Sequence, residues 1–229
     1  MNLRVLFSAL AATFLLSSCA PHGGNYTQDM RYKIHKFTPA ALAQLKPAFQ
    51  KAGVAYPPEE ITLLVFKSER RMELWARSGL GQPWRHIKNY QVMAASGGPG
   101  PKLRDMDRQV PEGIYRLEAL NPDSRFDLSM ELNYPNSEDQ YHARMDGRSD
   151  LGGEIFIHGN KLSIGCIAIG DANIQQLFVL VYEVGMRNVT VIVAPNDLRY
   201  EKPLRSSEKV SWLPQLYGEI YQALLPFKQ

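Results

Sequence analysis

The pattern of apolar residues constrains the fold more than any other feature of this sequence, because it divides the chain into short runs of strand length. Runs of about four to eight apolar residues bounded by turn-forming residues predict β-strands. Strands are predicted at 61–67, 71–77, 87–95, 114–119, 126–133, 154–158, 167–169 and 188–194. Because strands outnumber the other predicted elements, we expect a mixed, largely antiparallel β-fold.

Helices are predicted at both ends of this strand-rich region and at one late insertion. The first, 38–53, starts with an N-cap and proline signal and ends on a glycine. The second, 171–184, is expected to be capped by Asp171. The third is an apolar stripe over 213–225, expected to pack back on the domain, with partner binding as the alternative. The predicted fold class is mainly β with flanking helices (α+β).

The composition is that of a globular protein: 229 residues, 45% hydrophobic and 21% charged, with a net charge of +3. This weak and dispersed positive charge excludes a dedicated nucleic-acid-binding protein. The two cysteines, Cys19 and Cys166, are too few for a disulfide scaffold or a cysteine-rich zinc site. No nucleotide-binding motif occurs and the histidines lack metal-ligand spacing, so we expect neither a cofactor nor a metal.

The first cysteine follows a segment typical of exported proteins. The apolar run 5–16 is shorter than the ~20 residues that cross a bilayer, and it fits a secretory signal peptide. Residues 16–19, LSSC, resemble a bacterial lipobox, which implies that Cys19 carries lipid; an incidental cysteine after a plain signal is the alternative. Ala20 rather than Asp after this cysteine favours the periplasmic face of the outer membrane.

The second cysteine lies eight positions after His158, with a Gly-Asn turn signal between them. We expect the turn to fold strands 154–158 and 167–169 antiparallel, which would bring the imidazole and the thiol of Cys166 within hydrogen-bond reach. A free thiol has a pKa of about 8.5, so a neighbouring base is needed to make it a nucleophile at neutral pH. The main-chain N–H groups of 164–166 are expected to face the developing oxyanion. A buried structural cysteine and a structural histidine are the alternatives.

These residues lie in a segment that resembles a known family. Residues 158–166, HGNKLSIGC, are similar to the active-site segment of the YkuD-type L,D-transpeptidases, and 111–115, PEGIY, resemble another segment of that family. Residues 121–126 and 134–136 resemble a narrower branch with a short His-to-Cys spacing, which includes the amidase that releases Braun's lipoprotein from peptidoglycan. The resemblance covers about residues 59–195.

The resemblance implies a sandwich-like β-domain that forms a cysteine acyl-enzyme on peptidoglycan stem peptides, at the carbonyl of meso-diaminopimelate. Cys166 would be the nucleophile and His158 the base, with the carbonyl of Gly159 orienting the imidazole. Main-chain amides around Gly165 would form the oxyanion hole, and Ser163 matches the family's Ser/Thr.

Two departures from the family pattern put 3–3 cross-linking in doubt, and the short-spacing branch that shares them, in which hydrolysis is known, favours cutting by resemblance. Ile164 replaces the second motif histidine, and Ala168 stands where many members have Arg or Asn. We therefore expect amide hydrolysis that releases wall-bound lipoprotein or D-Ala. The alternatives are a transpeptidase, which forms 3–3 cross-links or attaches lipoprotein, and a non-catalytic peptidoglycan-binding lipoprotein.

Five further residues are candidates for substrate binding. Lys102 and Arg104 have the charge to pair with a stem-peptide carboxylate, although solvated loop charges are an equal alternative. Tyr134, Asn136 and Asn160 are candidate substrate contacts that are also ordinary turn residues.

The expected partners are peptidoglycan stem peptides, a wall-linked lipoprotein, and a membrane through the N-terminal lipid, but no nucleic acid. The expected location is the bacterial cell envelope. The predicted divisions are a signal peptide (1–18), a lipidated cysteine and tether (19–37), a helical lead-in (38–58), a catalytic domain (59–195) and a helical extension (196–229).

Overall fold

β-strands form the centre of the fold, which a computed structural model describes over residues 23–228. The predictions for the signal peptide and for Cys19 lie outside these residues. The strands are β1 (Glu60–Phe66), β2 (Arg71–Arg77), β3 (Arg85–Gln91), β4 (Ala94–Ala95), β5 (Gly113–Ser124), β6 (Asp127–Leu132), β7 (Phe156–His158), β8 (Ile167–Ala168) and β9 (Val189–Ala194). They form one nine-stranded sheet in the order β3-β2-β1-β9-β5-β6-β7-β8-β4.

The two end strands of this sheet are joined by only Val92 and Met93. The N–H of Val92 donates to Arg70 O, whereas that of Met93 donates to Ala168 O on β8. The predicted single strand 87–95 is therefore wrong, because its two halves pair at opposite ends of the strand order. Two residues span less than about 10 Å, so the sheet curls until its ends meet and encloses the core.

The pairing is mixed, which agrees with the predicted fold class. β1 pairs antiparallel with β2 and parallel with β9, and β5 pairs antiparallel with both β9 and β6. β7 and β8 pair in parallel. The expectation that these two short strands would lie antiparallel is wrong.

Four helices flank the sheet in the described part of the chain: α1 (Gly23–Ala52), α2 (Ser137–Met145), α3 (Asp171–Val184) and α4 (Leu213–Leu224). α2 was not predicted. Asn136 caps it, and Asn136 and Asp139 complete a capping box, a signal that the sequence offers as Asn-x-x-Asp. The N-cap of α3 is Gly170, without a side-chain cap, so the predicted capping role of Asp171 is wrong.

The first helix begins much earlier than predicted and replaces most of the proposed tether. Thr38 is not an N-cap, because it lies in mid-helix and its hydroxyl donates to Ile34 O. Leu45 and Phe49 are fully buried in the main core, and Phe37 is also buried there. Residues 23–37 are thus part of a helix that packs on the domain.

The last helix packs back on the domain, as predicted, and its contacts are with the outer face of the sheet. Leu216, Tyr217, Ile220 and Leu224 are buried in a second apolar cluster that also contains Phe66 of β1. Within residues 23–228, no helix is long and apolar enough to cross a membrane.

Candidate active site

The predicted nucleophile and base line one cleft of about 670 Å³. Its walls come from the segments 102–108, 153–158 and 162–166, together with Phe126. Charged groups on these walls are Lys102, Asp105, Arg108 and Glu154.

The parallel pairing of β7 and β8 sets the relation between the two groups. His158 ends β7 in register with Ala168, so Cys166, directly before β8, lies beside Phe156. Side chains alternate between the faces of a strand, so positions 156, 158, 166 and 168 share one face. The crossover 159–166 therefore places thiol and imidazole on the same side of the sheet, although not by the hairpin that the sequence predicted.

His158 is only 1% exposed, and its hydrogen bond defines the tautomer of the imidazole. Its Nδ1 lies 2.5 Å from the carbonyl oxygen of Gly159. A carbonyl only accepts, so Nδ1 carries the proton and Nε2 keeps its lone pair. Burial lowers the pKa of His158, although the Gly159 bond acts in the opposite direction. The ring of Phe126 lies against it, with centroids 4.5 Å apart. His158 is therefore a neutral base at neutral pH.

The thiol of Cys166 is half-buried and also neutral. Burial raises its pKa, while a hydrogen bond from the Phe156 N–H and the charge of Lys102 oppose this shift. Sγ donates to Glu154 O over 3.7 Å. Among the described residues, the hydrogen bonds of the thiol and the imidazole thus involve main-chain groups rather than each other. The resting pair is uncharged, and the proton transfer awaits a substrate.

Ser163 organises the loop that carries the thiol. Its hydroxyl donates to Cys166 O over 2.5 Å and accepts from the N–H groups of Cys166 and Gly165 over 2.9 and 3.3 Å. These two amides were predicted to face an oxyanion, but here they have a side-chain acceptor within the loop. Gly165 has φ of +129°, a backbone conformation that side chains rarely adopt.

The turn after His158 is fixed by contacts that leave no room for a side chain at Gly159. A Cβ there would lie 2.6 Å from Asp171 Oδ1 and closer still to Phe126 O. Asn160 has φ of +63°, and its side chain accepts from the N–H of Lys161. Asn160 thus serves as a turn residue, one of the two roles predicted for it.

The two predicted basic contacts are placed differently from expectation. Lys102 lines the cleft, but its ammonium is buried and bound to Asp107 and to Arg104 O. Arg104 is exposed and does not line the cleft. Arg108, which the sequence did not single out, does line it and has φ of +56°. No pattern in the sequence marks Arg108, since the fold of segment 102–109 brings it there.

The structure does not bring Tyr134 or Asn136 to the cleft. The Tyr134 hydroxyl is buried and donates to the carbonyls of Lys102 and Leu151. Asn136 caps α2 and donates to Ile114 O, lining a separate cavity. Tyr134 thus contacts Lys102, a cleft-lining residue, from outside the cleft, whereas Asn136 stabilises the start of α2.

Comparison with known proteins identifies the domain. Residues 60–193 match the family model of the YkuD domain, described as the L,D-transpeptidase catalytic domain. The chain belongs to this family. The resemblance seen in the sequence is thereby confirmed at the level of the family.

This L,D-transpeptidase-family chain is similar to curated relatives over part of their length. It is 32% identical over 123 residues to the Escherichia coli protein named "Putative L,D-transpeptidase YafK", a match that covers 53% of this chain and 47% of YafK. The chain thus spans about half the length of the curated relatives it matches.

Solved structures with related folds include the helical cell shape determining protein Pgp2 of Campylobacter jejuni, with a TM-score of 0.49 and 22% identity over 64% of this chain and 50% of Pgp2. L,D-transpeptidase 1 of Mycobacterium tuberculosis has a TM-score of 0.34 and 10% identity over 58% of this chain and 61% of that protein.

Within the described residues, no group of three or more His, Cys, Asp or Glu is placed to hold a metal ion.

Proposed function

We propose that this chain catalyses cysteine-dependent acyl transfer on peptidoglycan stem peptides, at the meso-diaminopimelate carbonyl, mainly by amide hydrolysis. The observation that carries the proposal is the cleft of an L,D-transpeptidase-family domain lined by both a thiol and a buried neutral imidazole. Such a pair supplies a nucleophile and a base without a metal or cofactor.

The first half of the reaction forms a thioester. As the substrate carbonyl approaches, Nε2 of His158 takes the proton of Cys166 and Sγ attacks the carbonyl carbon. The imidazolium then gives that proton to the departing amine nitrogen, the C–N bond breaks, and the acyl group stays on sulfur. The carbonyl of Gly159 accepts from Nδ1–H throughout, so the ring keeps its orientation.

The second half returns the free enzyme. Nε2 takes a proton from water, the resulting hydroxide attacks the thioester carbon, and the proton passes to the departing sulfur. If an amine takes the place of water, the product is a new amide, so hydrolysis and transpeptidation share one acyl-enzyme.

The composition of the cleft supports hydrolysis as the main outcome. Ile164 stands at the position of the second motif histidine, lines the cleft and is 81% exposed, so it offers no polar group to an incoming amine. Ala168, at the other position that departs from the family pattern, is fully buried in β8, does not line the cleft and has no polar side-chain group. We propose release of wall-bound lipoprotein or of D-Ala, with cross-linking and lipoprotein attachment as alternative outcomes.

We also propose that the protein is anchored in the bacterial envelope by lipid on Cys19, at the periplasmic face of the outer membrane. The apolar run, the lipobox-like LSSC and Ala20 support this. Metabolic labelling with a radioactive fatty acid, compared between the full chain and Cys19→Ser, tests it. Labelling equal in both variants would exclude the anchor, and label in the inner-membrane fraction would overturn the location.

The activity is tested with the full chain in detergent, alongside Cys166→Ala and His158→Gln. His35→Gln is the matched control, because His35 is exposed on α1 and far in sequence from the cleft. The substrates are sacculi that carry covalently bound lipoprotein and isolated tetrapeptide muropeptides, both in water labelled with oxygen-18.

Hydrolysis predicts release of lipoprotein or D-Ala with a free amine, and one labelled oxygen in the new diaminopimelate carboxylate of the stem tripeptide, lost in both cleft variants and kept in the control. New 3–3 dimers or newly attached lipoprotein, without labelled oxygen, would instead establish transpeptidation. Binding to sacculi that is equal in all variants, with no change in any substrate, would favour a non-catalytic binding protein.

A further inference from the structure

One peptide group connects the imidazole of His158 to a carboxylate. The carbonyl of Gly159 and the N–H of Asn160 belong to the same peptide unit. Its oxygen lies 2.5 Å from His158 Nδ1, and its nitrogen donates to Asp171 Oδ1 over 2.6 Å. The oxygen and hydrogen of a trans peptide point in opposite directions. The peptide therefore lies between the imidazole and the carboxylate, and the three form one hydrogen-bonded chain.

Neighbouring contacts keep this chain in place. The N–H of Gly159 donates to Leu128 O, and the carbonyl of His158 accepts from the N–H of Ile169. Asp171 is the first residue of α3 and makes no cap bond to its own helix. Its carboxylate is thus turned towards the loop after β7 rather than used by the helix end.

A carboxylate that accepts from a peptide N–H polarises that peptide and makes its carbonyl a stronger acceptor. Here the carbonyl serves the Nδ1–H of the base. When the base takes the thiol proton, positive charge develops on the ring, and a stronger acceptor at Nδ1 stabilises it. In serine hydrolases an aspartate contacts the imidazole directly and keeps its own proton state unchanged. In this chain one peptide stands between the two groups.

We propose that Asp171 is a positioning residue for the reaction, acting on His158 through the Gly159–Asn160 peptide. It touches no reacting atom. The inference rests on the proposed function for its effect on turnover. Its effect on the imidazole is measurable without substrate.

The competing explanation is that Asp171 only complements the positive end of α3 and braces the loop. Three variants of the full chain separate the explanations. Asp171→Asn keeps the size and one acceptor oxygen but removes the charge, and Asp171→Ala removes both. Glu138→Gln is the matched control, because Glu138 is an acid in the first turn of α2 that does not line the cleft.

The first measurement is the titration of His158, followed by NMR of the imidazole in the absence of substrate. The other charged groups that line the cleft, Lys102, Asp105, Arg108 and Glu154, are the same in all three variants. An anion that supports the imidazolium raises its pKa, so Asp171→Asn is expected to lower that pKa by ~0.5 unit or more. Glu138→Gln is expected to leave it unchanged.

The second measurement is turnover of the peptidoglycan substrate. Loss of the outer partner of a metal-ligating histidine lowers metal affinity or activity by about 10–100-fold, and we expect an effect of this order for a catalytic histidine. We expect kcat to fall about tenfold in Asp171→Asn and about a hundredfold in Asp171→Ala, with KM unchanged. If Asp171→Asn unfolds, Asp171→Ser, which keeps a hydroxyl at the helix start, replaces it.

A folded Asp171→Asn variant with the wild-type His158 pKa and the wild-type kcat would overturn the inference. Changes in the His158 pKa and in kcat that are as large in Glu138→Gln as in Asp171→Asn would also overturn it. If wild type itself is inactive on peptidoglycan, the proposed function fails. A shifted titration in Asp171→Asn alone would still support the connection between Asp171 and His158.

Discussion

At the scale of single residues, burial decides the charge state of the catalytic pair. It lowers the pKa of His158 and raises that of Cys166, so both groups are neutral over the physiological range. A thiolate–imidazolium pair would need the opposite order of pKa values. The thiol and the imidazole therefore do not form a thiolate–imidazolium ion pair before a substrate binds.

The first prediction concerns pH. The base must be neutral, so activity should fall only below about pH 6.5, the ordinary histidine pKa, because the pKa of His158 lies lower still. Alkylation of Cys166 by iodoacetamide should accelerate with an inflection above about pH 8.5, because the thiol pKa is raised. Stopped-flow alkylation from pH 5 to 10 would measure it, and an inflection below pH 7 would show a preformed ion pair instead.

The second prediction concerns Phe126, whose ring covers the imidazole. Phe126→Ala should admit water, reduce the burial of His158 and move its pKa up towards the ordinary value, so the acidic limb of activity shifts to higher pH. NMR titration of the imidazole measures this shift. Tyr141→Ala is the control, because Tyr141 is a similarly exposed aromatic on α2. A His158 pKa unchanged by Phe126→Ala would show that the ring does not control its hydration.

At the scale of elements, the crossover between β7 and β8 forms the site. It is pinned at one end by Asp171, through Asn160, and at the other by Ser163. Parallel strands usually need a crossover of about a dozen residues or more. This one comprises only residues 159–166, and its own hydrogen bonds replace the helix that commonly fills such a connection.

The third prediction follows from Ser163. Ser163→Ala removes three hydrogen bonds of the loop, so the free energy of unfolding should fall by ~1–3 kcal/mol and kcat should fall with it. Ser163→Thr keeps the hydroxyl and should retain both. Urea unfolding together with turnover measures the effects. Equal activity in the alanine and threonine variants would show that the hydroxyl of Ser163 does not organise the loop for catalysis.

At the scale of the whole molecule, α1 joins the N-terminal part of the chain to the main core. Its side chains at 41, 45 and 49 are buried together with those of the curled sheet. α1 also packs against α3, the helix that begins with Asp171. The segment that the sequence assigned partly to a tether is thus a structural part of the domain.

The fourth prediction tests this role of α1. Leu45→Ala should lower the free energy of unfolding by ~2–5 kcal/mol, because Leu45 is fully buried and its truncation leaves a cavity. Lys46→Ala is the matched control, since its side chain is exposed on the same helix. Chemical denaturation measures both variants. A small effect of Leu45→Ala, equal to that of the control, would show that the packing of α1 does not contribute to the stability of the domain.

The sequence by itself determined the features that depend on local pattern. It predicted the strands around β1, β2 and β9, the α3 and α4 helices, the family, and His158 and Cys166 as a pair. Each of these features is set by residues that lie close together in the sequence, through the spacing of apolar residues, helix-capping residues or a short motif.

Only the tertiary structure decided how distant segments meet. It divided the predicted strand 87–95, made β7 and β8 parallel, placed Arg108 in the cleft and turned Asp171 towards the peptide after His158. No local pattern carries this information, because strand pairing and loop contacts depend on which residues, far apart in the chain, share the core. The same burial then fixed the protonation of His158 and Cys166, which the bare motif leaves open.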